Sequence, residues 1–163
     1  IIVDEESNIY VTGTYEGEME FWGEIVQSSG SADAFVMKLD PDLDHLWIAC
    51  WGGPRNDIAY RICSNETGLI YCTGGFNGIV DFDPSERQVE RSSCCGRCKN
   101  GFVLCLDVNG NFRWVSTWGW LKAGMGLDIQ IGSSGALWAL GSIIAGGEKK
   151  LLCRFACDEP KQQ

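Results

Sequence analysis

Asp33-Ala-Phe-Val-Met-Lys-Leu-Asp-Pro-Asp-Leu-Asp-His-Leu-Trp-Ile-Ala-Cys-Trp-Gly52 has a second copy in the same chain, Asn100-Gly-Phe-Val-Leu-Cys-Leu-Asp-Val-Asn-Gly-Asn-Phe-Arg-Trp-Val-Ser-Thr-Trp-Gly119. Phe35, Leu39, Asp40, Trp47, Trp51 and Gly52 recur as Phe102, Leu106, Asp107, Trp114, Trp118 and Gly119, each 67 residues on. One offset held across a whole motif is an internal repeat. Inside each copy, Phe35, Met37 and Leu39 alternate with Val36 and Lys38, and Phe102, Leu104 and Leu106 with Val103 and Cys105. That is strand periodicity with apolar groups on both faces, so both faces should be covered. The Asp, Pro, Asn and Gly content of 40–44 and 107–111 marks the connection to the outgoing strand as a tight turn.

Working outward, a second element occurs three times. Ile1 to Gly13, Ile62 to Gly74 and Ile129 to Gly141 are each two short apolar runs around a polar turn, the second run ending at glycine. Each reads as a hairpin whose outgoing strand bends sharply. Thr14 to Trp22 and Gly75 to Asp83 follow as short extended excursions around Gly17 and Gly78. Residues 23–32 and the longer 84–99 read as surface loops. The third copy reaches its incoming strand at Lys150 to Phe155, and Asp158 to Gln163 is too polar to supply the outgoing one.

The expectation is an all-β chain built as a partial β-propeller of repeated four-stranded antiparallel blades, over 1–56, 57–123 and an incomplete 124–163. A β-sandwich is the competing fold, but it needs no repeat of this regularity. Phe35, Leu39, Phe102 and Leu106 are expected between blades. With fewer than three full blades, the end faces should be open. Ile2, Tyr10, Val11 and Phe21 are expected on one, and Leu137, Ala139, Leu151 and Cys153 on the other.

The run of Asn8 to Gly13, Asp33 to Asp40, Leu46 to Gly53 and Asp81 to Pro84 resembles the SBBP-type β-propeller repeats over nearly the whole chain. The resemblance implies a non-enzymatic structural or protein-interaction segment of a larger secreted, cell-surface or multi-protein assembly. The chain departs from that pattern at Asp42-Leu43-Asp44, where a glycine-containing turn is usual, and in a cysteine-rich insertion after Ser93.

Composition narrows the function classes. In 163 residues, 22 Asp and Glu against 13 Lys and Arg give a net charge of −9, a field that repels nucleic-acid phosphates and anionic lipid. The uncharged stretch 129–147 is broken by glycines, serines and a Gln and does not read as a spanning helix. The opening Ile1, directly in a strand-like run, suggests a processed or excised part of a longer protein.

Nine cysteines are unusual. Cys94-Cys-Gly-Arg-Cys98 could close a local disulfide from Cys94 or Cys95 to Cys98 in an oxidising compartment, while strand cysteines serve as small buried hydrophobes. A zinc knuckle there lacks a second cysteine pair, and the chain has one histidine, His45. Calcium at Asp40, Asp42 and Asp44, or at Asp107, Asn109 and Asn111, has alternating oxygens but no bidentate Glu, and hairpin turns explain those residues as well. Asn65-Glu-Thr67 is a glycosylation sequon on a turn. Trp22, Trp51, Trp118, Trp120 and Trp138 could line a sugar or peptide groove, though Trp at repeated positions is first of all packing. No hydrolase, nucleotide or metalloprotease motif occurs, so catalytic, cofactor and metal residues are all expected to be absent. The alternative is a hydrolase or lyase propeller whose active-site groups lie in blades outside this chain.

Overall fold

The computed structural model describes residues 1–83, 85, 87–93, 98–119, 123–145 and 148–155, with residues from 144 onward described by backbone alone. Among the described residues every regular element is a strand. β1 (Ile2–Val3), β2 (Ile9–Phe21), β3 (Glu24–Leu39) and β4 (His45–Trp51) form a four-stranded antiparallel meander. The second sheet is made by β5 (Ile58–Ser64), β6 (Ile70–Phe76), β9 (Asn100–Leu106) and β10 (Phe112–Trp118). Between β6 and β9 the chain makes a separate two-stranded ribbon, β7 (Ile79–Asp81) with β8 (Glu90–Ser92). β11 (Gly124–Ile131), β12 (Leu137–Ala145) and β13 (Glu148–Phe155) form a three-stranded sheet.

The sequence offset is also a register offset. Phe35 lies opposite Gly13 and Cys50, and Phe102 opposite Gly74 and Thr117. Irregularities repeat with the same spacing: the register shifts between Lys38 and Leu39 and again between Leu106 and Cys105. The first strands of the second and third sheets are both bulged, skipping Tyr60 and Leu127.

Five turns share one design. In each, the first residue's carbonyl accepts the N–H of the fourth, which has a positive φ: Ser7 (67°), Leu43 (69°), Gly68 (81°), Gly110 (82°) and Gly135 (76°). In four of them a side-chain oxygen of Asp4, Asp40, Asn65 or Asp107 also accepts the amides two and four residues on, at 2.8 to 3.1 Å. The Asx side chain thus satisfies donors that the reversal would orphan. Leu43 is the misfit, because a branched residue in the left-handed region carries a cost of about 1 kcal/mol that glycine escapes. Leu43→Gly is expected to raise the unfolding free energy by roughly 0.5–1 kcal/mol in urea titrations. A loss of stability would mean that the half-exposed leucine packs better than it strains.

Two apolar cores separate the sheets. Tyr10, Ala34, Val36, Ala49 and Trp51 of the first meet Ile62, Cys72, Phe102, Leu104 and Leu106 of the second. On the second sheet's other side, Tyr71, Val103, Cys105 and Trp114 meet Ile129, Leu137 and Ala139 of the third. The middle sheet is therefore covered on both faces, and β6 and β9 are buried at every position.

Three expectations need correction. Phe35 and Leu39 are buried (9% and 7% exposed), but on the side of β3 opposite Ala34 and Val36. There Phe35 is covered by Tyr15 and Phe21 of its own sheet, with ring centroids 6.4 and 5.9 Å away. Tyr10, Leu137 and Ala139 lie in the cores instead of on open end faces, Ile2 packs against the first core and Phe21 is buried. Of the other expected face residues, Val11 is half-buried, and the side chains of Leu151 and Cys153 lie outside the described residues. Both phases of these strands are apolar in sequence, so alternation alone does not say which faces the neighbour. Finally, 23–32 is mostly strand: Glu18 to Phe21 pairs with Glu24 to Gln27 through a two-residue turn, Trp22 (φ 43°) and Gly23 (φ 89°). Two consecutive positive φ values give the primed turn that suits strand twist.

Candidate interaction face

The strongest functional signal is a ladder of one aromatic per sheet. Tyr10, Tyr71 and Trp138 occupy the same place in the second strand of their sheets, opposite Ile2, Cys63 and Gln130 on the first strand. Tyr10 is 1% exposed and Tyr71 0%, each covered by the sheet that follows. Trp138 is 39% exposed. Two residues on, Thr12 and Thr73 are followed by Leu140, which is 45% exposed. In the first two sheets these threonines donate to the Phe35 and Phe102 carbonyls at 2.8 and 2.5 Å, so they belong to the intra-sheet scaffold. The third sheet substitutes a large apolar group where the others carry a hydroxyl, and leaves it in solvent.

The contacts between sheets 1 and 2 show how such a face is used. Trp47 Nε1 donates to the Val108 carbonyl at 3.0 Å, and its ring lies so close to Gly110 that a Cβ there would come within 2.8 Å of it. Within the first sheet, Tyr10 donates its hydroxyl to Asp4 Oδ2 at 3.1 Å and takes the Lys38 ammonium over its ring at 5.1 Å, which holds the ring that the second sheet covers. Arg61 and Asp128, on the first strands of sheets 2 and 3, approach to 3.7 Å but are largely exposed and add little.

Asp57 forms the polar junction at the opposite end of the sheets from these turns. It is fully buried, and its two oxygens accept the Gly53 and Asn77 amides, both at 2.8 Å. Burial pushes its carboxyl up to about 7 despite those hydrogen bonds. Asp33 lies close enough to raise it further, and Lys99, whose own ammonium is disfavoured by burial, works the other way. Asp33 is 2% exposed; Oδ2 accepts the Ser29 amide at 2.8 Å and Oδ1 has no hydrogen-bond donor. Burial raises its pKa too.

The residues singled out in the sequence are scattered. Cys94 and Cys95 lie outside the described residues; Cys98 is disulfide-bonded. Cys50, Cys63, Cys72 and Cys105 are in no disulfide, and burial lifts Cys50 to about 11 and Cys72 to about 12. Asp40 and Asp107 spend an oxygen on turn amides, as described, and among the described residues no three His, Cys, Asp or Glu groups come together as metal ligands. His45 stacks on Trp22, 5.6 Å between centroids, with its Nε2 buried and without a partner. Asn65 Oδ1 accepts the Thr67 and Leu69 amides.

Of the five tryptophans singled out for a groove, Trp51 is core, Trp118 packs over Gly101 and Gly141, and Trp120 falls outside the described residues. Trp22 and Trp138 are exposed but belong to the first and third sheets respectively, so no aromatic groove unites the described members of the set. Sequence reading passed over Asp57; its signal was an acidic residue three positions after Gly52-Gly53-Pro54, where the chain must cross between sheets. Among the described residues no helix is long and apolar enough to cross a membrane. No protein-family model matches the chain, and no curated protein matches it significantly.

Proposed function

We propose that the chain is a structural, protein-interaction segment of a β-propeller, and that the outer face of its third sheet, around Trp138 and Leu140, receives another sheet of the same kind. The observation that carries this reading is the place of Trp138: its equivalents Tyr10 and Tyr71 are both buried by a following sheet. Covering side chains of this size contributes roughly 1.5–3 kcal/mol each, enough for a repeated sheet-on-sheet contact to hold an assembly together. The resemblance to SBBP-type repeats supports further blades, in a longer chain or another subunit, as the occupant. It also points to a secreted or cell-surface setting, with which a disulfide at Cys98 agrees.

Light scattering on residues 1–163 tests the reading. The chain is expected to associate at micromolar concentration, giving a mass above 17.9 kDa, and Trp138→Arg is expected to abolish most of that association while leaving the far-ultraviolet spectrum unchanged. A soluble wild-type monomer that melts cooperatively would overturn it.

A further inference from the structure

A second site, independent of sheet stacking, lies at the end of the first sheet. A cavity of about 310 Å³ is lined there by Tyr15, Asp33 and Cys50, and by Asp81 and Asp83 from the second sheet's ribbon. This is near the lower limit of about 300 Å³ for small-ligand pockets. We propose that the cavity binds a guanidinium group, presented by a partner as an arginine side chain. Among the described residues, three carboxylates line it and no Lys or Arg does. Asp33 is the anchor: it is 98% buried by its 2% exposure, and Oδ1 lacks the donor that a buried carboxylate oxygen requires.

The arrangement selects among cations. Asp81 Oδ1 already accepts the Asp83 and Val89 amides, and Asp83 Oδ1 accepts the Ser85 amide, so these groups are fixed in place before any ligand arrives. They are dispersed around the cavity, and among the described residues no three acidic, His or Cys groups gather around one point as a metal ion needs. A planar guanidinium carries five donors in a rigid fork and can meet carboxylates on different walls. Tyr15 also lines the cavity, and an aromatic side chain is a neighbour such a cation favours.

Nuclear magnetic resonance titration of the full chain with Nα-acetyl-arginine amide tests this, with the neutral isostere Nα-acetyl-citrulline amide and calcium ion as competitors. Saturable shifts centred on the Asp33, Cys50 and Gly52 amides are expected from the arginine amide alone. Asp33→Asn is expected to weaken the binding roughly tenfold, the scale of one lost charge-assisted hydrogen bond. Should that variant fail to fold, Asp83→Asn, whose amide oxygen can still accept the Ser85 N–H, is expected to weaken it about threefold. Equal binding of citrulline amide, unchanged affinity in the variants, or shifts from calcium with none from arginine amide would each overturn the proposal. Because the readout is binding at the first sheet, failure here leaves the Trp138 reading untouched.

Discussion

Phe102→Ala is expected to lower the unfolding free energy by about 3–5 kcal/mol, a large part of what a domain of this size possesses. Phe102 is fully buried at the centre of the contact between the first two sheets. Its ring meets Trp51 of the first sheet edge-on, with centroids 5.9 Å apart, and Phe82 at 5.2 Å; Phe82 in turn meets Phe76 at 5.2 Å. Truncation therefore removes an aromatic that three other rings depend on directly or through one neighbour. Thr117 and Gly74 beside it in the sheet are unable to fill the space, since Gly74 has no side chain and the Ile58 carbonyl closes the room where one would sit.

Phe35→Ala is the matched control. It occupies the same register position one repeat earlier, but its cover is Tyr15 and Phe21 from its own sheet. That side of the sheet can relax, and a loss of about 2 kcal/mol is expected, at the low end for a large-to-small change. Urea unfolding of both variants decides it. Equal losses would mean that the packing between sheets adds nothing to what each sheet supplies for itself.

The contrast between these two phenylalanines shows what the sequence could and could not say. A constant offset was enough to place Phe35 and Phe102 at one register, because spacing along a strand is carried directly by the chain. Which neighbour each would meet was not legible, because that depends on whether a sheet precedes it, and the letters are the same in both copies. Strand phase was lost at Tyr10 and Leu137 for a related reason: where Val11 and Trp138 are apolar too, period-two alternation has no contrast to report. The ribbon 18–27 was hidden by its charged residues, which suit an exposed two-stranded extension as well as they suit a loop; Trp22-Gly23 as a primed turn was the available clue. The turns at Asp40 and Asp107 were legible in full, since Asx chemistry is local. The Asp33 cavity was not, because Asp81 and Asp83 reach it from a ribbon that sequence reading treats as part of another repeat.

Stability is expected to fall as pH rises from about 4 to about 7, and the cause is Asp57. Its carboxyl titrates near 7 in the folded chain against 3.8 when free, because burial disfavours the charged form more than the Gly53 and Asn77 amides favour it. Between those two values the folded state holds a proton that the unfolded state has released, so each rise in pH favours unfolding. The stabilisation is complete below about pH 4, declines through the window, and is gone above the folded value. A displacement of this size corresponds to as much as roughly 4 kcal/mol. Asp33, raised by burial as well, pulls in the same direction. Asp4 and Asp107 oppose them at the acid end. Burial alone would raise each, but hydrogen bonds, chiefly from Asn8 and Asn111 respectively, hold both below the ordinary value, so their contribution is lost only in more acid solution. Asp57→Asn cannot ionise and is expected to flatten the profile; its one amide oxygen can serve only one of the two amides that the carboxylate accepts, so the variant is expected to lose stability, and to lose more at about pH 4.5 than at about pH 8. Urea unfolding of both proteins at about pH 4.5, 6 and 8 makes the comparison. A wild-type profile that is level or rising across that range would show that Asp57 is ionised in the fold and that its two amides stabilise the charge better than burial opposes it.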